Sequence, residues 1–166
     1  MSRAIPHDPY RMVVQRFNRH GVRYVVVGMA GINYYARSPA QAFATMDYDL
    51  FVEPTLANVE QAVACLKRLD FMVATTDGPL RVEDIRKVVR ARRTIVATTP
   101  DGLMIELLLA ISGYTFADVA RDAVTFTVRG VPVKVGRLIK LLQSKKSAGR
   151  AKDRQFLQRY QSQLEA

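Results

Sequence analysis

Tyr24 to Glu53 reads YVVVGMAGINYYARSPAQAFATMDYDLFVE. Its first four residues, Tyr24 to Val27, are apolar without interruption and predict a buried strand. Gly28 ends that strand where a Cβ would block close approach of another backbone or a ligand. Met29 to Ala36 predicts a short helix, Ser38-Pro39 a loop, and Asp47 to Val52 a second strand. Side chains alternate along a strand, so Asp47 and Asp49 share one face while Tyr48, Leu50 and Val52 share the other, which is the core face. Phe51 falls on the carboxylate side. Two carboxylates side by side repel, and one pKa rises unless a cation sits between them. Hard oxygen ligands at this spacing suit Mg²⁺, which keeps waters and takes substrate phosphates as its remaining ligands.

The composition narrows the class. At 166 residues with 49% apolar side chains, the chain predicts one domain with a genuine core and argues against disorder. The core is expected over about residues 22–135, and a helical, basic C-terminal segment over about 136–163. No apolar run reaches the roughly 18–20 residues that span a bilayer, and no signal peptide is apparent, so no membrane association is expected. The lone Cys65 cannot form an internal disulfide and fits a reducing, cytoplasmic setting. It falls on the apolar stripe of a helix expected from Pro54-Thr55 to about Leu69 and reads as a structural thiol. The net charge of +10 on 18.7 kDa favours polyanionic partners, nucleic acid before acidic membrane.

Further along the chain, Asp8-Pro9 predicts a helix start, with Tyr10, Val13, Val14 and Phe17 inward and a stop at His20-Gly21. His7 has no evident role. Phe71–Thr75 reads as a strand and Asp77-Gly78-Pro79 as a turn. Val82 to about Arg92 reads as a helix with Val82, Ile85 and Val89 inward. Arg86, Arg90 and Arg93 recur on another face beside Lys87 and Arg92, either a solvated face or the lining of a phosphate backbone. Thr94–Thr98 and Leu103–Ala110 form an antiparallel pair joined by Thr99-Pro100-Asp101-Gly102. Glu106 is the only charge in the second of these strands. It is either an edge residue facing solvent or, with Asp47 and Asp49 upstream, a third metal ligand. Phe116–Arg121 predicts a short helix, Val124–Val128 and Val131–Val135 a second hairpin, and Arg137 to about Lys146 a helix. A last helix carries Phe156, Leu157 and Tyr160, and the run SKKSAGRAKDRQFLQRY holds six basic residues against Asp153. By itself that run is an ordinary basic terminal helix, or a cationic cluster beside a phosphate site.

A strand ending in glycine, a short helix, Asp-x-Asp, a later acid and a Lys-x4-Arg-x-Lys-Asp tail, in that order, resemble the nucleotidyltransferase superfamily of DNA polymerase beta. The minimal nucleotidyltransferases and the AbiEii-like toxins are the nearest members. Gly28, Asp47 and Asp49 match the family pattern, and Met29 stands where the family has a second small residue. The resemblance implies a mixed α/β fold, a small mixed sheet flanked by helices with a helical C-terminus. It implies Asp47, Asp49 and Glu106 as catalytic ligands of Mg²⁺ or Mn²⁺, and Gly28 and Met29 at the triphosphate of an NTP such as ATP. It also implies Lys145 and Arg150 on phosphate, and Asp153 orienting a basic partner. The activity implied is transfer of a nucleoside monophosphate to an acceptor hydroxyl. The acceptor would be RNA, with a tRNA end as one member, and the protein would be the toxin of a pair whose other half is an antitoxin. Protein hydroxyls and small antibiotics are alternative acceptors. A non-catalytic RNA- or nucleotide-binding module and a regulatory partner protein are alternative functions.

Overall fold

Strand pairing places the residues of interest. The computed structural model describes residues 9–37, 42 and 47–165. Asp8, His7 and the Ser38-Pro39 loop lie outside the described residues. The described strands are β1 (Tyr24–Val27), β2 (Asp47–Val52), β3 (Met72–Thr75), β4 (Gly78–Pro79), β5 (Ile95–Thr98), β6 (Met104–Leu108), β7 (Val124–Val128) and β8 (Val131–Val135). They form one mixed sheet in the order β4-β3-β5-β6-β2-β1-β8-β7. β2 runs parallel to β6 and antiparallel to β1, and β1 runs parallel to β8. The other pairs are antiparallel: β3–β4, β5–β6 and β7–β8 as hairpins, and β3–β5 across the intervening β4 and residues 80–94. The fold is mixed α and β, as the sequence predicts.

Helices cover both faces. On the Tyr48 face lie α1 (Pro9–Arg19) and α3 (Leu56–Arg68). Tyr10 of α1 stacks on Tyr48, and Phe17 packs at a tilt on Tyr24. Val13, Val14 and Phe17 are fully buried with Leu50, Val52, Ile105 and Leu107. Truncating Phe17, Leu50, Ile105 or Leu107 to Ala would cost about 2–5 kcal/mol. Thr55 caps α3 by accepting from the Asn58 backbone N–H, and Cys65 is buried on its stripe, where burial pushes the thiol pKa up. The carboxylate face is also packed at one end, since Phe51 is buried edge-on against Phe116 of α5 (Phe116–Arg121). The central strands are therefore apolar on both faces beyond Asp49, as expected of parallel pairing in mid-sheet.

Several boundaries differ from the sequence reading. Gly78-Pro79 is not only a turn: after Thr76-Asp77 it forms β4, paired to β3. The Val82–Arg92 segment is a 3₁₀ turn, Val82–Asp84, followed by α4, Ile85–Arg90. Ile85 and Val88 are the buried pair, while Val82 is exposed and Val89 only half-buried. The 3₁₀ turn has three residues per turn rather than 3.6, so the inward stripe inferred from α-helical spacing is displaced. Arg93 leaves the exposed basic face and pairs with the Asp77 carboxylate, also donating to Thr76 Oγ1 at 2.6 Å. Glu106 is not at an edge, because β6 lies between β5 and β2.

Candidate functional site: three carboxylates facing a cationic helix pair

Register brings the acids together. β2 and β6 pair with Asp49 level with Glu106 and Asp47 level with Met104. Across a sheet, side chains at paired positions point the same way, so Asp49 and Glu106 stand side by side with Asp47 two residues away on that face. Asp47 is exposed, and Asp49 and Glu106 are half-buried. Burial pushes the Asp49 carboxyl up to about 7, assisted by the charges of Glu106 and Asp47 and a hydrogen bond with Glu106, with Lys145 opposing. Asp49 Oδ1 is buried without a hydrogen-bond partner.

β1 supplies the adjoining wall. Val27 pairs with Asp49, and Gly28 follows with φ +66°, a conformation that disfavours any Cβ. A Cβ there would collide with Asp49 Oδ2 and stand 3.2 Å from Asp49 Cγ. Only glycine thus leaves Asp49 its position. Met29, the next residue, is partly buried and packs against the core. α2, Gly28–Asn33, has six residues, too short for a macrodipole to hold phosphate unaided.

The cations arrive from the opposite side. α6 (Leu138–Ala148) ends at Gly149, whose φ of +63° closes the helix, and α7 (Ala151–Glu165) begins two residues later. Asp153, in the first turn of α7, is only 1% exposed and binds both cations. Arg150 donates to it through Nε at 2.6 Å and Nη2 at 3.2 Å, and Lys145 Nζ lies 3.6 Å from Oδ1. Burial alone would push the Asp153 carboxyl up, but Arg150 and Lys145 hold it below the usual range. Burial pushes the Lys145 ammonium down, opposed by Asp153 and Asp49. Lys145 also sits 4.8 Å from the centre of the Phe156 ring.

Between these walls is a cavity of about 530 Å³ lined by Gly28, Asp49, Lys145, Arg150 and two serines, Ser112 and Ser144. Asp47 and Glu106 adjoin it through Asp49, and Asp153 stands behind the two cations. The serines were missed in the sequence. Ser144 was detectable: Leu141, Ser144, Lys145 and Ala148 recur at i, i+3, i+4 and i+7, so the stripe that buries Leu141 carries Ser144 and Lys145 to the cavity. Ser144 Oγ donates to the Ser112 carbonyl at 2.7 Å, tying α6 to the segment after β6. Ser112 had no such signal, because its position depends on how that segment returns over the sheet.

The donor chemistry fits a hard divalent cation, with oxygen-only, anionic ligands and one buried oxygen unpaired. Among the described residues no three His, Cys, Asp or Glu side chains are placed as a metal-holding group. Burial and the charges of Glu106 and Asp47 raise the Asp49 carboxyl, and a bound cation would offset that repulsion. No protein-family model matches the chain, and no curated protein matches its sequence. No helix among the described residues is long and apolar enough to cross a membrane.

Proposed function

We propose that this protein is a metal-dependent nucleotidyltransferase of the polymerase beta-like superfamily, transferring a nucleoside monophosphate from an NTP to an acceptor hydroxyl. The observation that carries the reading is the Asp49–Glu106 register, with Asp47 on the same face, and Asp49 opposed across one cavity by Lys145 and Arg150. Carboxylates at one wall and fixed cations at the other match a substrate that is a polyphosphate bound with a divalent cation.

Asp47, Asp49 and Glu106 would hold Mg²⁺ or Mn²⁺, which when bound neutralises phosphate charge and lowers the pKa of a coordinated hydroxyl. The chain's own groups do the rest. Lys145 and Arg150, anchored by Asp153, receive phosphate oxygens and stabilise the charge that develops on the departing pyrophosphate. Gly28 clears space beside Asp49. Glu106, on the strand farther from Gly28, would take the acceptor proton. The acceptor class follows from charge: a net +10 favours RNA, a tRNA end included. Action as a toxin with an antitoxin partner is the corresponding physiological role.

Incubation with each labelled NTP, Mg²⁺ or Mn²⁺ and total cellular RNA tests the reading. Label transferred to RNA by the wild type and not by Asp49→Asn supports it. No transfer to RNA, protein or aminoglycoside under any metal overturns it. The raised Asp49 carboxyl beside Glu106 favours a second reading, a binding module of the same fold without turnover. That reading expects RNA binding unaffected by Asp49→Asn, without transfer.

A further inference from the structure

Among the described residues, the two edges of the sheet are built differently. One is β4, two residues long and ending in Pro79, which has no N–H to offer. It is a blunted edge. The other is β7, the five residues VTFTV, with no charge, no proline and no glycine. Thr125 and Thr127 are exposed. A neutral edge of this length is a template for another strand.

Its hydrogen-bonding register can be read from the turn. The two-residue Arg129-Gly130 connection makes Val128 and Val131 the closing pair, and both turn residues have positive φ, 48° and 81°. The closing pair of such a hairpin is hydrogen-bonded, and pairs alternate from there. Val128, Phe126 and Val124 therefore direct their N–H and C=O groups to β8. Those of Thr125 and Thr127 point away from it. Pro132 is consistent with this, since it pairs with Thr127, where β8 needs no N–H toward β7.

We propose that this edge joins two copies of the chain, β7 to β7, antiparallel about a two-fold axis at Phe126. The sequence is self-complementary in that register. Thr125 faces Thr127 of the second copy, both with outward backbone groups, so each such pair exchanges two hydrogen bonds and the axis generates a second pair. Val124 faces Val128 of the second copy. Phe126 meets Phe126 of the second copy at a non-hydrogen-bonded position, where side chains approach closely and aromatic pairs are favourable. Tyr34 and Tyr35 pack on Phe126 from behind at ring-centre distances of 5.6 and 5.1 Å, fixing the ring. No like charges within the strand oppose the pairing, and the contact is isologous, so it closes at two copies. The site described above is built from other strands, so this inference stands whatever that site does.

Light scattering on the eluting full chain and hydrogen exchange test it together. The wild type is expected at twice 18.7 kDa, falling toward 18.7 kDa on dilution. The Thr125 and Thr127 amides should exchange more slowly as protein concentration rises. Thr125→Lys/Thr127→Lys places facing cations across the axis at exposed positions, and should return the mass to that of one chain with an unchanged far-ultraviolet spectrum. A wild type that stays at one chain's mass up to its solubility limit overturns the proposal. So does a dimer in which those two amides exchange freely, or one that survives the double lysine variant.

Discussion

Under the proposed function Asp49 carries two opposed roles, and a single substitution separates them. In the folded protein its carboxyl is raised to about 7, above the 3.8 of an unperturbed aspartate, with burial as the first cause. The fold therefore favours the protonated form. That contribution to stability is complete below the unfolded value and is lost as pH rises through about 7. At pH 8 the metal-free protein should be less stable than at pH 5 on this account, and Asp49→Asn should recover stability on the order of 1 kcal/mol, because it removes a buried charge beside Glu106. The same variant should reduce nucleotidyl transfer by roughly 10²-fold or more. Thermal melts at both pH values and single-turnover transfer check the pair of outcomes. An Asn variant less stable than wild type at pH 8 would show that the charge is already compensated. Mg²⁺ or Mn²⁺ should raise the melting temperature of the wild type at pH 8 and leave Asp49→Asn unmoved. This part of the site was legible in the sequence: Asp-x-Asp on an alternating strand fixes its own face, and Gly28 marks close approach. Sequence did not reveal that Gly28 makes room for Asp49 itself, since that contact depends on β1 and β2 pairing as neighbours.

At the scale of elements, the α6–α7 corner is a clamp whose keystone is Asp153. It is nearly inaccessible and holds Lys145 and Arg150, so its loss leaves a buried ammonium without its nearest counter-charge. Asp153 has a lowered folded pKa, so its stabilisation is present above the unfolded value and is lost as pH falls through the folded one. Asp153→Asn should destabilise the protein at pH 7 by about 1–3 kcal/mol and flatten the acid limb of its stability profile below about pH 4. Urea titrations from pH 3 to 7 measure both, and an unchanged acid limb would place the stabilisation elsewhere. Under the proposed function, transfer by this variant should show a raised KM for NTP, because the cations proposed to meet phosphate would no longer be fixed. α5 offers a control whose cap does not line the cavity. Thr115 and Asp118 form a reciprocal capping box, and Thr115→Ala should cost about 1 kcal/mol with transfer unaffected. Both hairpins were legible because their turns name themselves, Pro-Asp-Gly in one and Arg-Gly in the other. The α4 stripe was not, because a 3₁₀ turn breaks the period from which it was inferred.

For the whole molecule, the decisive pairing is the one sequence reasoning supplied only as a supposition. β2 and β6 are separated by more than fifty residues, and nothing local to either strand says that they lie side by side and parallel. Periodicity gives each strand its faces; the choice of neighbour comes from how α3, β3 and β5 close the core between them, a long-range outcome. Charge distribution is the other property that emerges only in three dimensions. Of the basic residues around α4, Arg93 is engaged by Asp77, but Arg86, Lys87, Arg90 and Arg92 are all exposed. Arg86 and Arg90 are four residues apart on α4, with Lys87 beside them, so they form one cationic stripe. If RNA is the acceptor, a stripe of this kind would track its backbone, and each neutralised phosphate releases counterions. Replacing all four with Gln should then lower the steepness of log K against log salt by about 3, at roughly 0.7–0.9 per phosphate contact. Affinity at low salt should fall across RNA sequences alike, while transfer to a saturating acceptor keeps its rate. Filter binding from 50 to 300 mM KCl, with wild type and the quadruple variant on one RNA, measures the slope directly. An unchanged slope would mean that RNA meets the cations of α6 and α7 instead, and Lys152→Gln/Arg154→Gln/Arg159→Gln, exposed on α7, would then be the set whose loss flattens it.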